Sequence, residues 1–259
     1  MLPTDEILKG VENRDEIKRI IDIAEQAIKT WEVSCTDFLS PPVIVEAREK
    51  FSVLSDIQFV VWGGYAQAER ARIGITRAEL PLDVSQVPVA ALDVSGNFLF
   101  DTATHRDFLG AILGTGVVRD KIGDIVVLGE RGAQILVVPE LVQFLEANLT
   151  QVRSVPVKTR EIGLDELKIR SPTKKEMTTV EASMRLDAVA SAAFRMSRSK
   201  MADAIAQGNV RVNWKPVTQA SHSVQEGDLI AVQGKGRAEV GEVSITKKQR
   251  YRIQLTRYL

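Results

Sequence analysis

Cysteine and histidine are nearly absent from this chain of 259 residues: Cys35, His105 and His222 are the whole supply. One thiol excludes an internal disulfide framework, and three such residues are too few for a zinc site of Cys and His. Cys35 therefore reads as a small core residue rather than a nucleophile. No apolar run approaches the roughly 18 residues that a membrane span needs. The opening Met-Leu-Pro-Thr-Asp-Glu lacks the basic and apolar regions of a secretory signal, so a soluble, cytoplasmic protein without metal or cofactor is expected.

Net charge is absent too, with 34 Lys+Arg against 34 Asp+Glu, but the balance is uneven along the chain. Residues 181–259 hold 13 basic and 7 acidic residues, a formal +6, which leaves 21 against 27, or −6, for 1–180. A polyanion-binding surface is therefore expected at the C-terminal end. The acidic remainder limits indiscriminate adhesion and offers a surface to a protein partner.

Within that basic end, Leu186, Val189, Ala190, Ala193 and Phe194 recur at helical spacing and leave Arg185 and Arg195 pointing outward. A second helix is expected to start near Ser199 as its cap, to bury Ala202, Ile205 and Ala206, and to end at a left-handed Gly208. The period then changes to two, as Val210 and Val212 alternate with Arg211 and Asn213. Burying the valines is expected to turn Arg211 and Asn213 toward Arg198 and Lys200, making one basic patch.

Taken in order, Arg185-Leu-Asp187, Ser197-Arg198-Ser199, Gly208-Asn-Val210-Arg-Val212-Asn213 and Glu226-Gly-Asp228 resemble the S4-like RNA-binding domain. The resemblance implies a contact face of Arg185, Arg195, Arg198, Lys200, Arg211, Asn213 and Lys215. Lys235 and Arg237 are implied as peripheral phosphate contacts, Asp187 as structural, and Trp214 as either a stacking or a core residue.

Upstream, Ile17, Ile20, Ile21, Ala24, Ile28 and Trp31 form the stripe of an amphipathic helix, with Asn13 and Glu16 at capping-box spacing. Ser40-Pro41-Pro42 opens another helix, and Ile57 to Trp62 reads as a buried strand ended by Gly63-Gly64. A small α/β domain is thus expected over 1–82. Glu69-Arg70-Ala71-Arg72 reads as the solvated face of a following helix, with RNA contact as the alternative.

Over 83–160 the order is strand Val89 to Val94, helix Thr104 to Leu113, strands Ile122 to Leu128 and Ala133 to Val138, helix Glu140 to Leu149, and strand Val152 to Val157. This is the split βαβ arrangement of a ferredoxin-like or RNA-recognition-motif fold. Its first and third strands carry no aromatic residue, so the usual base stacking on them is not expected. Phe98 and Phe100 are left to a stacking loop or to the core. Residues 161–180, with Ser171-Pro172, read as a linker to a domain at 181–259, and the whole chain reads as α+β.

Gly63-Gly64-Tyr65, Ala68-Glu69-Arg70, Thr104-His-Arg-Asp-Phe-Leu-Gly110, Gly114-Thr-Gly116 and Val212-Asn213-Trp214-Lys215 resemble the YlmH-type bacterial proteins over most of the chain. One branch of that family is labelled photosystem II S4 domain protein. The resemblance implies His105, Arg106, Arg119 and Lys121 as second-tier RNA contacts, with local capping by His105 and Asp124 as the structural alternative. It also implies a ribosome-associated role on ribosomal RNA, with tRNA and the large subunit as further partners. An RNA-modifying enzyme and a photosystem assembly factor are the competing classes.

Three enzyme-like fragments stand without the rest of the sites they belong to. His105-Arg106-Asp107 lacks the magnesium-binding Asn of a kinase loop, since Ile112 stands at that position. Arg195-Met-Ser-Arg-Ser199 is similar to the signature loop of class I aminoacyl-tRNA synthetases but has no His-Ile-Gly-His partner. Arg185-Leu-Asp187 is similar to a pseudouridine synthase motif but falls inside the expected RNA-binding helix. No catalytic residue is expected.

Overall fold

The structure is a computed structural model that describes residues 2–169 and 174–258. The chain divides into two compact units, Met1–Ile169 and Arg170–Leu259. Among the described residues no helix is long and apolar enough to cross a membrane.

The first unit begins with α1 (Thr4–Ile7) and α2 (Arg14–Thr30), followed by β1 (Ser34–Cys35), α3 (Pro41–Phe51), β2 (Ile57–Trp62) and β3 (Arg72–Arg77). The stripe Ile17, Ile20, Ile21 and Ala24 is buried against Val43, Ala47 and the sheet β1-β3-β2, as its spacing requires. Two expectations fail here. Asn13 and Glu16 form no capping box; instead the buried Glu46 carboxylate accepts from Glu12 N–H (2.6 Å), Asn13 N–H (3.0 Å) and Asn13 Nδ2 (2.8 Å). Trp31 leaves the stripe because the helix ends on it in a left-handed conformation (φ 61°), and its exposed ring stacks under Arg77 at 3.9 Å.

A second sheet follows, built from β4 (Ala90–Ser95), α4 (His105–Gly114), β5 (Ile122–Val127), β6 (Gly132–Val137), α5 (Val142–Asn148), a small hairpin of β7 (Gln151–Val152) and β8 (Val155–Pro156), and β9 (Lys158–Ile162). The antiparallel order β5-β6-β4-β9 is the ferredoxin-like arrangement anticipated from the element order. Its last strand, however, is Lys158–Ile162 and not Val152 to Val157. Arg153 adopts φ 55° and folds 151–156 back on itself, which buries Val152 and Val155 beneath the helices and hands the ladder to the next segment. Phe98 is wholly buried against Phe108 with ring centroids 5.3 Å apart, whereas Phe100 is 92% exposed.

The second unit is a six-stranded antiparallel sheet with two helices on one face. It comprises β10 (Lys174–Glu181), α6 (Leu186–Phe194), α7 (Arg198–Ala206), β11 (Val210–Val212), β12 (Lys215–Pro216), β13 (Leu229–Val232), β14 (Gly236–Ile245) and β15 (Tyr251–Tyr258), in sheet order β10-β15-β14-β13-β11-β12. The expected linker 161–180 is therefore largely structured: its ends belong to β9 and to the eight-residue β10, paired along its length with β15. The Ser171-Pro172 part of that expectation lies outside the described residues. Strand alternation explains the difference, since Met177 packs on the core while Thr178 and Val180 turn outward.

Candidate nucleic-acid interface

The junction of α6 and α7 is fixed by local chemistry. Leu186, Val189, Ala190, Ala193 and Phe194 pack with Met201, Ile205, Val210 and Val212 in one core. Both helices end in the same way. Asn209 N–H reaches Ala204 O and Gly208 N–H reaches Ile205 O, each at 3.0 Å, with Gly208 at φ 75°. In α6 the matching bonds run from Met196 N–H to Ser191 O and from Arg195 N–H to Ala192 O, and the left-handed residue is Arg195 (φ 53°, ψ 46°) in place of glycine. The cap of α7 is Ser197, which accepts from Lys200 N–H at 3.3 Å, and not Ser199 as expected; the helix starts two residues earlier than that cap implies, at Arg198.

This junction brings two arginines onto one carboxylate. Arg185 Nε and Nη2 donate to Asp187 Oδ1 and Oδ2 at 3.1 Å each, and Arg198 Nε and Nη2 donate to Oδ2 and Oδ1 at 3.1 and 3.2 Å. The Asp187 side chain is 8% exposed, those of Arg185 and Arg198 42% and 56%. Burial pushes the Asp187 carboxyl up, but the bonds from the two guanidinium groups outweigh it and hold the acid below its ordinary range. Each guanidinium spends two of its five N–H donors on Asp187 and keeps three for a ligand. The site thus carries a net +1 in a fixed orientation, suited to phosphate oxygens.

Arg195, at the end of α6, and Lys200, in the first turn of α7, are exposed. Arg257, which sequence reading missed, stacks 5.3 Å from the Phe194 ring and donates to Lys235 O at 3.1 Å. The period-two pattern of 251–258 was the signal that could have placed it on the helix-bearing face with Ile253 and Leu255.

Arg211 does not join that patch. Val210 and Val212 pack beneath the helices, so alternation sends Arg211 to the opposite, open face of the sheet, and Ala238 and Val240 do the same for Arg237. Asn213 and Trp214 (φ 50° and 69°) form the two-residue turn between β11 and β12, across which Val212 pairs with Lys215. The Asn213 carboxamide is engaged internally, donating to Asp228 at 2.7 Å and accepting from Leu229 N–H at 2.9 Å, which gives it a positioning role. Arg211 donates to Trp214 O at 3.1 Å.

In the first unit, the segment 69–72 is no helix face. The Arg70 guanidinium donates to Ile122 O (2.9 Å) and Phe38 O (2.7 Å), buried Arg72 donates to Thr36 O and Pro88 O, and Asp124 accepts from Tyr65 Oη, Glu69 N–H and Arg70 N–H at 2.7–3.0 Å. Arg119 turns inward to Ile122 O at 2.7 Å; burial and the like charge of Arg70 lower it to about 10, still protonated at neutral pH. Lys121 pairs with Asp37 at 2.7 Å. His105 and Arg106 are exposed at the start of α4, and partial desolvation together with Arg119 pulls the His105 pKa down.

A two-helix cationic junction on an antiparallel sheet is the arrangement of an S4 domain, and the S4 domain family matches residues 184–230. Two further family models match upstream, "YlmH, N-terminal" over 12–80 and "Putative RNA-binding domain in YlmH" over 85–166. The chain is 33% identical over 245 residues to the Ribosome-associated protein quality control protein P2 of Bacillus subtilis (strain 168), covering 93% of this chain and 91% of that protein. The fold is also similar to the structure of Cell division protein ylmH from Streptococcus pneumoniae (TM-score 0.54, 19% identity, 62% of this chain and 96% of that one). The chain belongs to the YlmH family.

Proposed function

We propose that this protein binds structured ribosomal RNA through the Arg185–Asp187–Arg198 cluster, acts on the large ribosomal subunit in the quality control of stalled translation with tRNA as a further contact, and catalyses no reaction. It works in the cytoplasm, and its acidic first unit takes a protein partner. The observation that carries the reading is two half-exposed guanidinium forks set on one buried carboxylate. Such forks meet phosphate oxygens in pairs and release counterions. The named role of the Bacillus subtilis relative supports the ribosomal setting. A binding titration with ribosomal RNA tests it: Arg198→Glu is expected to weaken retention strongly and Lys247→Glu, far along the β14–β15 hairpin, only slightly. Equal retention of RNA by both variants overturns the assignment.

A further inference from the structure

The open face of the C-terminal sheet carries a second set of cations that the helix-side cluster does not explain. The register Lys174↔Tyr258, Tyr258↔Arg237, Arg237↔Ala231 and Ala231↔Arg211 places these residues in one row across five strands. All are on the face turned away from the helices, because Met177, Leu255, Ala238, Val232 and Val210 occupy the other. Lys174 Nζ lies 5.8 Å from the Tyr258 ring centroid and Arg237 Cζ 5.6 Å from that of Trp214, so cations and aromatic rings interleave along the row. Five strands span about 19 Å. The neighbouring row, Glu176–Thr256–Glu239, is acidic, and its Glu239 carboxylate accepts from Tyr258 Oη, which anchors that ring at the edge of the basic strip. Lys174, Arg237 and Tyr258 lie outside the matched S4 segment 184–230.

We infer that this row is a second nucleic-acid site, which takes a short single-stranded RNA segment lying across the strands. Lys174, Arg237 and Arg211, about 10 Å apart along the row, meet phosphates at intervals along the strand, and Trp214 and Tyr258 offer rings on which unpaired bases stack. The rings favour RNA over an acidic peptide, which would use the cations and leave the aromatics idle. Trp214 sits in a left-handed turn position where glycine or asparagine is usual, which aims its indole at the row. The two surfaces together let one domain hold a folded RNA element and an adjoining unpaired strand.

The full-length protein is titrated by fluorescence anisotropy with a short oligouridylate and, separately, with a blunt RNA hairpin. The Lys174→Glu/Arg237→Glu double variant is expected to lose about tenfold or more in affinity for the oligouridylate while binding the hairpin like the parent. Arg198→Glu is expected to lose hairpin binding and keep most oligouridylate binding. With Trp31→Phe and Trp62→Phe in place, oligouridylate quenches the remaining Trp214 fluorescence. Lys174→Gln, a mild change at an exposed edge position, gives a smaller loss in the same arm if the double variant fails to fold. Parental oligouridylate affinity in the row variants, absence of quenching, or equal competition by polyglutamate overturns the proposal. Failure in the hairpin arm alone overturns the helix-side assignment instead.

Discussion

Asp187→Asn separates bare charge from orientation as the source of RNA affinity at the arginine pair. On charge alone, removing a carboxylate about 7 Å from a phosphate strengthens attraction by about 0.8 kcal/mol, about fourfold, at an effective dielectric of about 60, which the half-exposed arginines place nearer to water (about 80) than to a drier protein surface (about 20). Orientation predicts the opposite. Asn keeps one carbonyl acceptor but presents an NH2 where the second carboxylate oxygen accepted, so one of the two bonds at 3.1–3.2 Å from each of Arg185 and Arg198 is lost and both forks loosen. A free arginine side chain carries about 2 kcal/mol of rotamer entropy. With Arg185 and Arg198 already 42% and 56% exposed, about half of that is regained by each, or about 2 kcal/mol for the pair. The difference, about 1 kcal/mol, makes Asp187→Asn bind about sixfold more weakly despite its added positive charge. Stability follows with a defined pH window. The Asp187 carboxyl is depressed in the folded state, so its contribution is complete above the unfolded value of about 4 and is lost as pH falls through the lower folded value. At pH 7 the parent should exceed the variant by about 2 kcal/mol, a figure discounted for half-exposed partners, and the two should converge in acid. Anisotropy titration at fixed salt and urea unfolding at neutral and acidic pH measure both. Unchanged or tighter RNA binding by Asp187→Asn refutes the orientation argument.

Three other outcomes are expected. Arg195→Gly relieves the left-handed conformation at the end of α6 (φ 53°) and should raise stability by about 1 kcal/mol in urea unfolding while lowering RNA affinity. Asp124→Ala strips the acceptor from Tyr65 Oη and the Glu69 and Arg70 amides; it should destabilise the first unit by about 2–3 kcal/mol, read by thermal unfolding, and leave binding of an RNA hairpin unchanged. With about five phosphate contacts, raising salt from about 50 to 200 mM should weaken RNA binding by about two orders of magnitude, and Arg198→Glu should flatten that slope.

Much of the fold was readable because periodicity reports burial. The stripes of α2 and α6, the left-handed Gly208 and the order of the ferredoxin-like strands all follow from local spacing. What escaped depends on partners distant in sequence. Nothing near Asn13 shows that Glu46, 33 residues away, supplies its hydrogen bonds. Nothing near Arg70 shows that its guanidinium serves carbonyls of Phe38 and Ile122. A basic residue in a turn reads as solvated until those backbone acceptors are in place. The candidate site divides in the same manner: Arg185 and Arg198 were marked for one face and Asp187 as structural, but their meeting on that carboxylate needed the packed helix pair, and the Arg211–Arg237–Tyr258–Lys174 row exists only through the registers of five strands. Alternation alone put Arg211 opposite Val210 and Val212; that the opposite face is not the helix-bearing one required the sheet.

Backbone strain in the second unit follows the same division of labour. Arg195, Asn213 and Trp214 all occupy the left-handed region, where glycine carries no steric penalty and other residues are disfavoured by about 1–2 kcal/mol. At Gly208, where only a helix terminus is needed, glycine is present. At Arg195 the same terminating geometry holds an arginine, next to the Phe194 ring that carries Arg257. At 213–214 the turn keeps Asn, whose carboxamide locks Asp228 and Leu229, and Trp, whose ring meets Arg237. Glycine would satisfy the backbone geometry at Arg195 and Trp214, and the side chains present there lie on the two surfaces proposed above. At Trp214 the turn thus gives up a small part of the folding free energy to place the indole beside Arg237.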